Sequence, residues 1–78
     1  MTRQELHQQL ASTLEELFDT PAAEVTEDAK LYEDLDIDSI DTMDLLLELK
    51  QQRGDKISPE MFRDARTVGQ VLDILEGL

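Results

Sequence analysis

The chain contains no cysteine. That excludes disulfides, thiolate metal sites and any thiol nucleophile of its own. Cations are scarce: 7 Lys and Arg stand against 19 Asp and Glu, a formal charge of −12 with His7 neutral. A field of that sign repels nucleic acid and anionic membranes and favours basic protein partners. No apolar run approaches the ~18 residues of a membrane span, and Met1-Thr2-Arg3-Gln4-Glu5 opens no signal-like stretch. A cytoplasmic location is therefore expected. Glycine and serine are missing between Thr20 and Asp38, so that stretch does not read as a flexible linker. What is present is enough for one small core. A chain of 78 residues, 40% of them hydrophobic, supports one domain, 1–78. A domain of this size buries only roughly 60–65% of its unfolded surface and has no room for a separate catalytic unit.

The apolar residues fall at helical spacing. Thr2 and Glu5 have capping-box spacing, and Leu6, Leu10, Leu14, Leu17 and Phe18 follow on one face, predicting a first helix over 3–18. Asp19-Thr20-Pro21 ends it, because proline disfavours helical geometry in the residue before it. The irregular stretch 20–38 has Val25, Leu31, Leu35 and Ile37 as anchors, with a turn expected near Leu31–Asp34. A second helix runs from Ile40 to Arg53, capped by Asp38 or Ser39 and stopped by Gly54. Lys50 and Arg53 lie in its last turn, where cations suit the helix dipole. Ser58-Pro59-Glu60 predicts a short third helix to Ala65, and Thr67 caps a last helix carrying Val68, Val71, Leu72 and Leu75. The expected fold is all-α: a small four-helix bundle with a long first loop and a short third helix.

One acidic run stands out, Asp34-Leu35-Asp36-Ile37-Asp38-Ser39-Ile40-Asp41. A calcium loop counted from Asp34 has acids at the first, third and fifth places. It then has Ser39 where glycine must turn the chain and Leu45 where a bidentate glutamate is required, so a metal site is not expected. A nucleophilic serine needs a base in reach, and His7, the one histidine, sits in the opening turns of the first helix and reads as a surface residue. No G-x-S-x-G elbow is present. Catalysis by this chain is therefore not expected. A phosphate attached to Ser39 is more natural, since backbone N–H groups and the dipole at a helix start stabilise it. Asp38 and Asp41 oppose this by repulsion, which makes sense if those acids serve a basic partner. The alternative is an unmodified N-cap serine, which composition and capping alone would favour. Ile40, Met43 and Leu47 form a second apolar set beside Asp41, Asp44 and Glu48. The set is either buried on another side or an exposed docking strip with an acidic border.

Asp38-Ser39-Ile40-Asp41, followed by an apolar helix with interleaved acids, resembles the D-S-L/I-D element of acyl carrier proteins. The likeness spans nearly the whole chain, including the Ile57-Ser58-Pro59 turn and Thr67-Val68 opening the last helix. The resemblance implies that Ser39 bears 4′-phosphopantetheine, attached by a magnesium-dependent phosphopantetheinyl transferase, and that acyl groups ride on its thiol as thioesters. It implies an acyl pocket lined by Leu31, Leu45, Leu46, Leu49, Ile57, Phe62, Val68 and Leu72. Partner enzymes such as a ketosynthase or an acyltransferase or acyl ligase would read Asp38, Ile40, Asp41, Met43, Asp44, Leu47 and Glu48 through basic docking surfaces, with the carrier acting as a monomer.

Two departures bear on the pathway. Family members usually have glycine two residues before the D-S pair, where this chain has Asp36. Lys50-Gln51-Gln52-Arg53, with Arg63 and Arg66, is basic and amide-rich where fatty-acid carriers of primary metabolism continue acidic. The expectation is a carrier for a fatty-acid, polyketide or related lipid pathway, and these departures lean towards a specialised one such as a polyketide, aryl polyene or unusual lipid system. Peptidyl carriers typically have Gly or His before the serine, so Asp38 favours acyl over aminoacyl cargo. The competing class is an acidic adaptor with no prosthetic group, whose partner binding would be indifferent to Ser39→Ala.

Overall fold

The computed structural model describes residues 2–78; Met1, the first residue of the expected domain, lies outside them. Three α-helices carry the fold: α1 (Arg3–Phe18), α2 (Ser39–Arg53) and α3 (Val68–Glu76). Each begins on a reciprocal cap. Thr2 Oγ1 accepts from the Glu5 N–H while the Glu5 carboxylate accepts from the Thr2 N–H at 2.9 Å. Thr67 and Gln70 repeat the arrangement at α3. Such caps satisfy N–H groups that have no partner inside the helix. The Thr2 bonds also hold the Glu5 carboxyl below its usual range. α1 ends on Asp19 in the left-handed region, and α2 ends on Gly54 at φ 82, a conformation glycine adopts without steric cost.

The expected third helix is one turn of 3-10 helix, Pro59–Phe62. Ser58 makes no side-chain capping bond there, and an isolated segment so short cannot recover the cost of helix nucleation. Phe62 holds the turn in place by burying its ring. Among the described residues the bundle therefore has three α-helices, with further 3-10 turns at Ala22–Glu24 and Gly54–Lys56.

α1 packs on both α2 and α3. The core is built from Leu6, Leu10 and Leu14 of α1, Leu45, Leu46 and Leu49 of α2, and Val68, Val71, Leu72 and Leu75 of α3. Each such side chain contributes roughly 1.5–3 kcal/mol on burial. Leu17, at the end of the α1 stripe, faces solvent, and Phe18 is half-buried.

The long connection is packed rather than loose. Val25, Ala29, Leu35 and Ile37 are all buried. Its backbone is clipped to the start of α3: Leu31 N–H donates to the Arg66 carbonyl at 2.9 Å and Val68 N–H to the Ala29 carbonyl at 3.0 Å. Gly69 N–H adds a 2.9 Å bond to the Glu27 carbonyl, and a Cβ at Gly69 would lie 3.1 Å from that oxygen. A side ion cluster reinforces the clip. The Arg3 guanidinium meets Glu27 at 2.7 Å, Asp73 at 2.8 Å and Glu76, tying α1 to the connection and to α3. These bonds, Glu27 first, push the guanidinium further above its ordinary range and hold the Glu27 carboxyl below its own.

Candidate functional site

The site is assembled where the connection turns into α2. Ile37 is buried, and its N–H donates to the Leu31 carbonyl at 2.8 Å, which anchors the entry. Just before it, Asp36 takes φ 61, a left-handed conformation. Asp and Asn tolerate that region better than other residues with a side chain. The chain then extends through Asp38, whose carboxylate accepts from the Ile40 N–H at 3.0 Å and the Asp41 N–H at 2.9 Å. Asp41 returns a longer bond, 3.4 Å, to the Asp38 N–H. Of the two candidate caps, the backbone thus uses Asp38 and leaves Ser39 as the first residue of the helix.

Ser39 is exposed, and its hydroxyl has no hydrogen bond among the described residues. No base stands beside it. His7 lies on α1, half-buried, with its Nε2 bonded to the Val25 carbonyl. It is less exposed than a surface residue, and that bond makes it a tie between α1 and the connection. Among the described residues, no group of three or more His, Asp or Glu side chains is arranged to hold a metal ion.

Beside Ser39 opens a cavity of about 590 Å³. Leu31, Leu45, Leu46, Leu49 and Phe62, five of the expected lining residues, are brought together around it. Ile57, Val68 and Leu72 are not; they lie buried in the core on other sides of their segments. Ile37, Thr42, Ala65 and Val71 line the cavity and were not foreseen. Val71 lies on the apolar side of α3 that the spacing predicts, but helix rotation decides which of its residues meet the cavity. The inner wall is hydrocarbon, while Ser39, Asp38, Tyr32 and charged residues stand at the mouth.

The second apolar set on α2 is exposed: Ile40 by 73%, Met43 by 56% and Leu47 by 60%. These residues share a face at helical spacing, so the interior does not claim them. Asp44 beside them is exposed and Glu48 is half-exposed, whereas Asp38 and Asp41 are also engaged in the cap.

Residues 8–75 match the family model described as the phosphopantetheine attachment site. Acyl carrier protein 2 of Ralstonia nicotianae is 41% identical over 100% of this chain and 96% of its own length. The chain belongs to the acyl carrier protein family. Another relative, the acyl carrier protein of Coprothermobacter proteolyticus, is 34% identical over 97% of this chain and 93% of its own. The structure of the acyl carrier protein from Enterococcus faecalis superposes with a TM-score of 0.75 at 37% identity, covering 100% of both chains. As a member of this family the chain carries acyl groups for pathway enzymes, is a substrate of a phosphopantetheinyl transferase, and is not itself a catalyst. It does so with a covalently attached 4′-phosphopantetheine. The residues present fit that group: an unbonded hydroxyl reachable from solvent, with an apolar cavity alongside for what the group brings. The left-handed φ of Asp36 is one that glycine, the residue the resemblance leads one to expect there, would adopt without steric cost. No helix among the described residues is long and apolar enough to cross a membrane.

Proposed function

We propose that Ser39 is the residue that carries the arm, and that the whole chain works as a single carrier unit in the cytoplasm, as a monomer. The observation that carries this reading is the placement of Ser39: its hydroxyl is exposed and unbonded at the first position of α2, on the lip of an apolar cavity. When bound, 4′-phosphopantetheine supplies a terminal thiol on which acyl groups are held as thioesters. Leu31, Leu45, Leu46, Leu49 and Phe62 shelter the hydrocarbon part of that cargo from water. Ile40, Met43 and Leu47 meet an apolar patch on partner enzymes, and Asp38, Asp41, Asp44 and Glu48 meet their Arg or Lys side chains. Exposed ion pairs are worth only about 0–1 kcal/mol each, which suits contacts that must form fast and release fast. A ketosynthase and an acyltransferase or acyl ligase with basic docking surfaces are the partners this surface fits. The basic groups Lys50, Arg53, Arg63 and Arg66 favour a specialised lipid or polyketide pathway.

The test is intact-mass analysis after incubation with a phosphopantetheinyl transferase and coenzyme A. Wild type is expected to gain one phosphopantetheinyl mass and Ser39→Ala none. An equal gain in Ser39→Ala, or no gain in wild type, would remove the assignment.

A further inference from the structure

Two arginines stand on the cavity that Ser39 shares, and nothing in the carrier role described so far uses them. Arg66 is held in place: its Nη1 donates to the Arg63 carbonyl at 3.1 Å and the Ala65 carbonyl at 3.2 Å, leaving its other N–H groups uncommitted. Arg63 is exposed and makes no hydrogen bond or ion pair through its side chain among the described residues. This is notable in a chain with 19 acids, three of which, Glu33, Asp38 and Glu60, line the same cavity without lying within ion-pairing distance of either arginine. Deeper in, the wall is Ile37, Leu45, Leu46, Leu49 and Val71, where an unpaired charge would be strongly disfavoured. An anion reaching this cavity is therefore favoured at its mouth rather than against that wall. A fixed planar guanidinium and a free one on the same cavity suit a carboxylate or phosphate oxygen pair.

We infer that Arg63 and Arg66 form an anion-holding rim for a negative group delivered on the Ser39 arm, either the arm's own phosphodiester or the carboxylate of an acidic cargo. The inference rests on Ser39 being the attachment point. In the second case the carrier has two cargo modes: hydrocarbon drawn into the cavity, and acidic acyl groups held outside it by the rim.

The experiment compares four forms of the full chain, apo, holo, butyryl-loaded and malonyl-loaded, each made with a phosphopantetheinyl transferase and the matching coenzyme A ester and verified by mass. The arginine Nε–H NMR signals are the readout. Movement of the Arg63 and Arg66 signals from apo to holo, with a phosphorus shift that Arg63→Gln/Arg66→Gln abolishes, assigns the phosphodiester. Movement confined to the malonyl form assigns the carboxylate. In that case the double variant weakens the acidity of the malonyl carboxyl roughly two- to five-fold more than Lys50→Gln/Lys56→Gln, which removes the same charge away from the cavity. Unmoved signals in every form would overturn the inference, as would movement that first arises with cargo and is equal for butyryl and malonyl. Failure to load would overturn the Ser39 assignment and this inference together, whereas loading without an arginine response overturns only the inference.

Discussion

Asp38 does two things that a pair of substitutions can separate. Its carboxylate caps α2 through the N–H groups of Ile40 and Asp41, and it is one of the acids offered to basic partners. Asp38→Ala removes both roles. Loss of an N-cap costs about 1 kcal/mol, within a range of roughly 0.5–2. The lost interaction of the charge with the helix start adds about 0.3–1 kcal/mol. The return bond from Asp41 survives, because it uses the Asp38 backbone. The expected loss is therefore about 1–2 kcal/mol, a fall of roughly 4–16 °C in thermal midpoint for a domain of this size. Asp38→Asn keeps an oxygen that can accept the same two N–H groups and loses only the charge, part of which is offset by relief of repulsion with Asp41. It should stay within about 1 kcal/mol of wild type. Circular dichroism melts measure the first quantity, and the rate of phosphopantetheinyl transfer measures the second. The asparagine variant is expected to be nearly as stable as wild type yet slower to be modified. If it melts as low as the alanine variant, or if the alanine variant melts like wild type, the capping argument is wrong.

Met43→Glu should impair transfer to partner enzymes while changing stability by no more than about 0.5 kcal/mol, since Met43 is exposed; a chemical denaturation curve beside a transfer assay checks both. At Asp36 the left-handed backbone orders the substitutions. Asp36→Gly should melt at or slightly above wild type, and Asp36→Val should lose roughly 1–2 kcal/mol, because a branched side chain crowds the following carbonyl there. Acid sensitivity should run through Glu27 and Glu5, whose carboxyls are held below their usual 4.5 in the folded chain. A depressed folded value means that stabilisation is complete above that usual value and is lost as pH falls through the lower, folded one. Melts from pH 7 to pH 3 should therefore show that contribution declining below about 4.5. Arg3→Met should flatten the part due to Glu27.

How much of this could be read from residues alone depended on whether the signal was local. The caps at Thr2 and Thr67 were legible because each side chain bonds to N–H groups within three residues of itself. Asp38 and Ser39 are both good caps by type, and only the extended backbone at Asp38 decides between them. Ser58-Pro59-Glu60 has the composition of a helix start, but the segment is held by burial of Phe62 rather than by capping and stays a 3-10 turn. The pocket was half legible. Leu72 and Val71 are adjacent apolar residues on α3, yet one is closed in the core and the other faces the cavity. That difference is set by how the helix is rotated against its neighbours. The exposure of Ile40, Met43 and Leu47 was likewise undecidable from spacing, which identifies a shared face without saying what covers it. The clip between the connection and α3 left no trace in composition, because it is made of backbone groups that every residue possesses.

The clip has a mechanical effect on the cavity. Leu31 and Arg66 are bonded to each other across it and both border the opening, so that side is stitched by main-chain bonds and resists spreading. Facing it is a single turn, Pro59–Phe62, closed by weaker 3-10 geometry and seated by one aromatic ring. A guest too long for the space is therefore expected to displace that turn before it parts the stitched side.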